Sequence, residues 1–75
     1  MSVNNYFGNN LRYLRHLNNM TQIDLAKKLS TTRQSISNYE RGQRFCDLNT
    51  LVGISELFNI SIDDLLKKKL SDNLR

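Results

Sequence analysis

The chain has 75 residues, 39% of them hydrophobic and 24% charged, with a formal net charge of +4. That balance predicts one globular domain with a modest core and argues against a disordered chain. No apolar run approaches the ~18 residues of a membrane span, and the first ten residues lack the basic and apolar stretches of a signal peptide.

The lone cysteine, Cys46, has no partner for an internal disulfide, which fits a reducing compartment. The cytoplasm is therefore the expected location. A pI of about 9.6 points weakly to a polyanionic partner. We expect a single domain over residues 1–75, with a core over about 5–67 and a C-terminal extension over 68–75.

Apolar residues recur at helical spacing along the chain, which contains no proline. Phe7, Leu11, Leu14 and Leu17 predict a first helix over about 5–17. Asn18 and Asn19 supply its stop, because asparagine tolerates the left-handed cap conformation. Thr21, followed three residues later by Asp24, has the form of a capping box. It opens a short second helix that ends near Ser30, with Ile23, Leu25, Ala26 and Leu29 facing inward. Thr32 is an N-cap for a third helix over about 33–41. Its inward residues are Ile36 and Tyr39, and Gly42 stands where a C-cap glycine stands. A link of about two residues forces the second and third helices to cross steeply. Asp47 caps a fourth helix with the stripe Leu51, Ile54, Leu57 and Phe58. Ser61 caps a fifth that begins at Ile62 and runs through Leu65, Leu66 and Leu70 towards Leu74. The expected fold class is all-α, with five short helices.

The third helix carries the chemistry. Arg33, Gln34, Ser37, Asn38 and Arg41 fall on one stripe, opposite Ile36 and Tyr39. Arginine can bond guanine O6 and N7 with two parallel bonds, and glutamine or asparagine can do the same with adenine N6 and N7. No acid or large aliphatic residue interrupts the stripe. An ordinary solvated polar face is the plainer reading of such a stripe taken alone. The tight crossing and the small Ala26 at the helix contact favour a face that reads DNA in the major groove.

Two stretches, LRYLRHLNNMTQIDLAKKLSTTRQSISNYERG and LNTLVGISELFNISIDDLL, resemble the Cro/C1-type helix-turn-helix family. This is the family of lambdoid phage repressors and their bacterial relatives. The resemblance spans Leu11 to Leu66 and implies a five-helix, lambda-repressor-like DNA-binding domain. It implies that Arg33, Gln34 and Asn38 face base edges, with Ser37 beside them. It implies that Gln22 bonds a phosphate and braces the first polar residue of the recognition helix. Thr21, Thr32, Arg41 and Arg44 are the further backbone candidates. It also implies an internal ion pair between Arg15 and Glu40, tying the first helix to the third. Two positions depart from the family pattern. Ser30 replaces the usual glycine between helices two and three, and Cys46 replaces a frequent proline before helix four.

The function this implies is sequence-specific binding of double-stranded DNA by a bacterial or phage transcriptional regulator. Repression by a homodimer on a two-fold symmetric operator is the expected mode. Phe45 is one candidate for the dimer contact. Ile62, Leu66, Leu70 and Leu74, spaced by four, form another, unless they are scattered leucines on a frayed tail. Lys67, Lys68 and Lys69 read as a solvated face, with tracking of the DNA backbone as the alternative. No metal, cofactor or small-molecule ligand is expected. One histidine, one cysteine and no glycine-rich phosphate loop argue against an enzyme. The competing reading is a protein-interaction module on the same fold, antitoxin-like or an accessory subunit.

Overall fold

The computed structural model describes residues 6–73. Five α-helices follow one another: α1 (Phe7–Leu17), α2 (Gln22–Lys28), α3 (Arg33–Glu40), α4 (Leu48–Phe58) and α5 (Ile62–Lys67). A 3-10 turn (Leu70–Asn73) closes the series. No strand occurs among the described residues. α1 is the hub, packing against α3, α5 and the 3-10 turn, while α2 packs on α3.

Local side-chain chemistry starts the helices. Thr21 Oγ1 accepts from the Asp24 amide at 3.0 Å, and the Thr21 amide donates to Asp24 Oδ2 at 2.9 Å, a complete capping box. Thr32, Asp47 and Ser61 each accept a hydrogen bond from the amide three residues on. Each satisfies one of the amides that a helix start leaves without an intrahelical partner.

The first three helices end alike. Asn19, Ser30 and Gly42 take positive φ values of 57°, 56° and 74°. In each case two amides fold back onto the final turn, Thr31 to Ala26 O and Ser30 to Lys27 O at the end of α2. This is the Schellman arrangement. Ser30 therefore adopts the left-handed conformation that glycine usually supplies at this turn, with the steric cost of its Cβ. Because α2 already ends at Lys28, the link to α3 is four residues long, not the two expected.

Phe7, Leu11, Leu25, Ile36, Ile54 and Leu65 are fully buried, one or two from each helix, and Leu14, Ala26, Tyr39 and Leu51 complete the core. Three apolar residues of the expected stripes are not buried. Leu17 is 55% exposed, Ile23 51% and Leu57 37%, each on the outward side of its helix. Cys46, in the loop before α4, is buried as part of the core. Burial pushes its thiol up to about 11, which keeps it protonated near neutral pH.

Two residues in α1 fix its neighbours, and neither stood out in the sequence. A Cβ on Gly8 would lie 2.6 Å from the Tyr39 carbonyl oxygen and 2.8 Å from that of Glu40. Glycine is what lets the backbones of α1 and α3 meet there. Asn10 is 1% exposed. Its Nδ2 donates to the carbonyls of Leu65 and Lys68, both at 2.7 Å, and its Oδ1 accepts from the Leu70 amide at 3.1 Å. Asn10 thus draws the chain after α5 back onto α1. The expected fifth helix running on to Leu70 is broken at Lys68, which is extended (φ −104°, ψ 135°). Lys68 and Leu70 are thus held to α1 through Asn10.

Candidate nucleic-acid interface

α3 divides its side chains cleanly. Ile36, Tyr39 and Glu40 are buried. Arg33, Gln34 and Arg41 are exposed, and Ser37 and Asn38 are half-exposed between them. Thr32 Oγ1 accepts from the Ser35 amide at 3.1 Å and donates to Ser35 Oγ at 3.0 Å. Its hydroxyl proton is thereby used within the helix start, which leaves little of it for a phosphate.

The only acid on α3 points away from this face. Glu40 is 8% exposed, and its carboxylate receives Arg15 Nε at 2.7 Å and Arg15 Nη2 at 3.0 Å. Two parallel bonds from one guanidinium are the strongest geometry available to such a pair. Arg15 Nη1 also donates to the Met20 carbonyl at 2.9 Å, so the pair ties α1 to α3 and to the turn before α2. Gln22 Nε2 donates to Glu40 Oε1 at 3.1 Å. Gln22 is thereby held by the buried ion pair.

With Glu40 withdrawn and neutralised, α3 presents positive charge alone. Arg33 occupies its first turn, where α2 and α5 carry Asp24 and Asp63–Asp64. A helix start bears a partial positive charge, and arginine there adds to it instead of balancing it. An open concavity of about 600 Å³, lined by Arg15, His16, Thr21, Gln22 and Arg33 among others, lies beside this end of the helix. Thr21 lies exposed at its rim; accepting from Asp24 uses a lone pair and leaves its hydroxyl proton to donate. Arg41 and Arg44 are exposed at the other end of α3.

On the outward face, Asn38 Oδ1 accepts from Gln34 Nε2 at 3.2 Å and from Arg41 Nη2 at 3.1 Å. The three side chains form one hydrogen-bonded row. Their helical spacing was visible in the sequence; their bonding to one another was not.

The expected dimer residues do not form one seam. Ile62, Leu66 and Leu70 are half-buried and pack on the core, and Leu70 lies past the break at Lys68, so the three do not share one helical face. Leu74 lies outside the described residues. Phe45 stacks edge-on against Phe7, with ring centroids 4.8 Å apart, and stays 39% exposed. Leu48, 71% exposed, and Val52, one turn later on α4, are the apolar surface that the sequence reading missed.

Comparison with known proteins agrees with this architecture. A family model described as helix-turn-helix matches residues 11–65. An uncharacterised HTH-type transcriptional regulator of Methanocaldococcus jannaschii, MJ0272, is 42% identical over 57 residues, covering 76% of this chain and 86% of that protein. An uncharacterised HTH-type transcriptional regulator of Bacillus subtilis, YqaE, is 37% identical over 68 residues. That match covers 91% of this chain but only 59% of YqaE, so the chain spans about three fifths of that relative. Among solved structures, the P22 c2 repressor bound to a synthetic operator superposes with a TM-score of 0.77 at 28% identity, covering 81% of this chain and 92% of that one. All three are named as regulators or repressors and none as an enzyme. The chain belongs to the Cro/C1-type helix-turn-helix family.

Proposed function

We propose that this protein is a sequence-specific transcriptional repressor that binds double-stranded DNA as a homodimer, with α3 in the major groove. The observation that carries the reading is the acid-free stripe Arg33, Gln34, Ser37, Asn38 and Arg41, exposed beside a buried and neutralised Glu40. Arg33, Gln34, Ser37 and Asn38 read bases, and Arg41 lies at the end of the same row. Thr21, Gln22 and Arg44 flank it, positioned to meet phosphates. The operator-bound state of the similar P22 c2 repressor supports the assignment. A cytoplasmic, nucleoid-bound location follows from it.

The dimer follows from magnitudes. One good two-bond contact discriminates by roughly 1–3 kcal/mol, whereas specific binding exceeds non-specific binding by roughly 4–10 kcal/mol. A single α3 reaches only the lower part of that range. Two copies on half-sites about 34 Å apart reach the rest. Phe45, Leu48 and Val52 are the contact surface we favour. They are apolar and exposed, Phe45 in the loop after α3 and Leu48 and Val52 on α4.

Fluorescence anisotropy with duplex DNA across a salt series tests the proposal. Affinity should fall steeply and log-linearly with salt as phosphate counterions are released. Sedimentation of the protein with a two-half-site duplex should show two copies bound. Salt-insensitive binding, or none, would instead support a module that recognises another protein.

A further inference from the structure

The row Gln34–Asn38–Arg41 fixes what Asn38 can read. A guanidinium carries only donors, so the Asn38 atom that faces Arg41 Nη2 at 3.1 Å is its carbonyl oxygen. The Gln34 group that reaches the same oxygen at 3.2 Å must then be its amide nitrogen. Arg41 thereby sets the orientation of both amides. Its own Nε bonds the Ser37 carbonyl at 3.4 Å, which steadies the guanidinium over the last turn.

An amide oxygen has two lone pairs, and both of those on Asn38 are taken. What Asn38 still offers is its two N–H donors. Gln34, which spends one N–H, keeps both an acceptor and a donor. Reading adenine with two bonds needs an acceptor for N6–H and a donor for N7. Gln34 can meet that need and Asn38 cannot. Guanine presents two acceptors in the major groove, adenine N7 and thymine O4 present one each, and cytosine presents only a donor. Water leaves a closed interface, and bonds within the row strengthen as it does.

We propose that Arg41 is a specificity-positioning residue, holding Asn38 as a donor-only reader that favours guanine, the base with two major-groove acceptors, while Gln34 takes the adenine-type contact. This rests on the DNA-reading assignment above, and it gives Arg41 a role beyond a phosphate contact.

Selection of bound sites from random duplexes, run in parallel with wild type, Asn38→Ala and Arg41→Ala, tests it. The base pair whose preference flattens in Asn38→Ala is the one Asn38 faces. Wild type should select a G·C pair there. Arg41→Ala frees one lone pair on Asn38 and should raise adenine relative to guanine at that pair by about fivefold or more, the low end of a two-bond contact. An A·T pair selected by wild type there would overturn the proposal. So would an unchanged Arg41→Ala profile, or no flattened pair in Asn38→Ala. If wild type enriches no sequence at all, the DNA-reading assignment fails, and that result is distinct from the other three.

Discussion

α3 carries two hydrogen-bonded polar clusters, one sealed and one open. On its inner side Glu40 gathers Arg15 and Gln22. On its outer side Asn38 gathers Gln34 and Arg41. The chemistry is nearly the same, a guanidinium and an amide converging on oxygen, but the surroundings differ. The inner carboxylate is sealed from water, so its bonds hold the fold and their loss strands a charge. The outer amides face solvent, so their bonds add little stability and are free to be completed by a base. Burial decides which cluster is scaffold and which is instrument.

The largest expected effect breaks the sealed side. Glu40→Ala leaves Arg15 buried without its partner, and chemical denaturation should register a loss of about 3–5 kcal/mol. Asn10→Ala comes next. It removes three bonds at once, one buried and two part-buried, and the carbonyls and amide left behind should cost about 2–3 kcal/mol. Amide exchange in that variant should quicken first at 65–70, where the chain is pinned to α1. Ser30→Gly acts in the opposite direction. It relieves a left-handed serine at φ 56° and should stabilise the domain by about 0.5–1 kcal/mol in the same assay.

The smallest effect sharpens the contrast through pH. The Thr21 amide holds the Asp24 carboxyl below its ordinary value of 3.8. The Thr50 side chain and then its amide do the same for Asp47. A carboxylate lowered in the folded state stabilises fully above its unfolded value, and the benefit disappears as pH falls through the folded value. Stability should therefore be flat from neutral pH down to about 4 and decline below that. Asp24→Asn with Asp47→Asn should make the decline shallower.

The helix starts were legible in the sequence because a cap is local: Thr21 with Asp24, Thr32, Asp47 and Ser61 each act within three residues. The outward stripe of α3 was legible for the same reason, since helical periodicity is a local property. The structural roles of Gly8 and Asn10 were not. The first depends on carbonyls more than thirty residues away and the second on backbone more than fifty away. A polar residue and a glycine inside an otherwise apolar inward stripe were the only hint. The partner of Gln22 was hidden too, because glutamine at the start of a helix reaches in several directions and only the packed Glu40 chooses among them. The turn after Lys67 was misread because the leucine spacing continues past it; Asn10, from the other end of the chain, ends the helix there.

The measurement that tests the central claim most directly is the affinity of Gln34→Ala for the selected site and for random duplex, set beside its unfolding free energy. Stability should stay within about 0.5 kcal/mol of wild type, binding to random DNA should be unchanged, and binding to the selected site should weaken by about 1–3 kcal/mol. Equal weakening on both duplexes, or unaltered preference for the selected site, would contradict the claim that the outer face of α3 reads sequence.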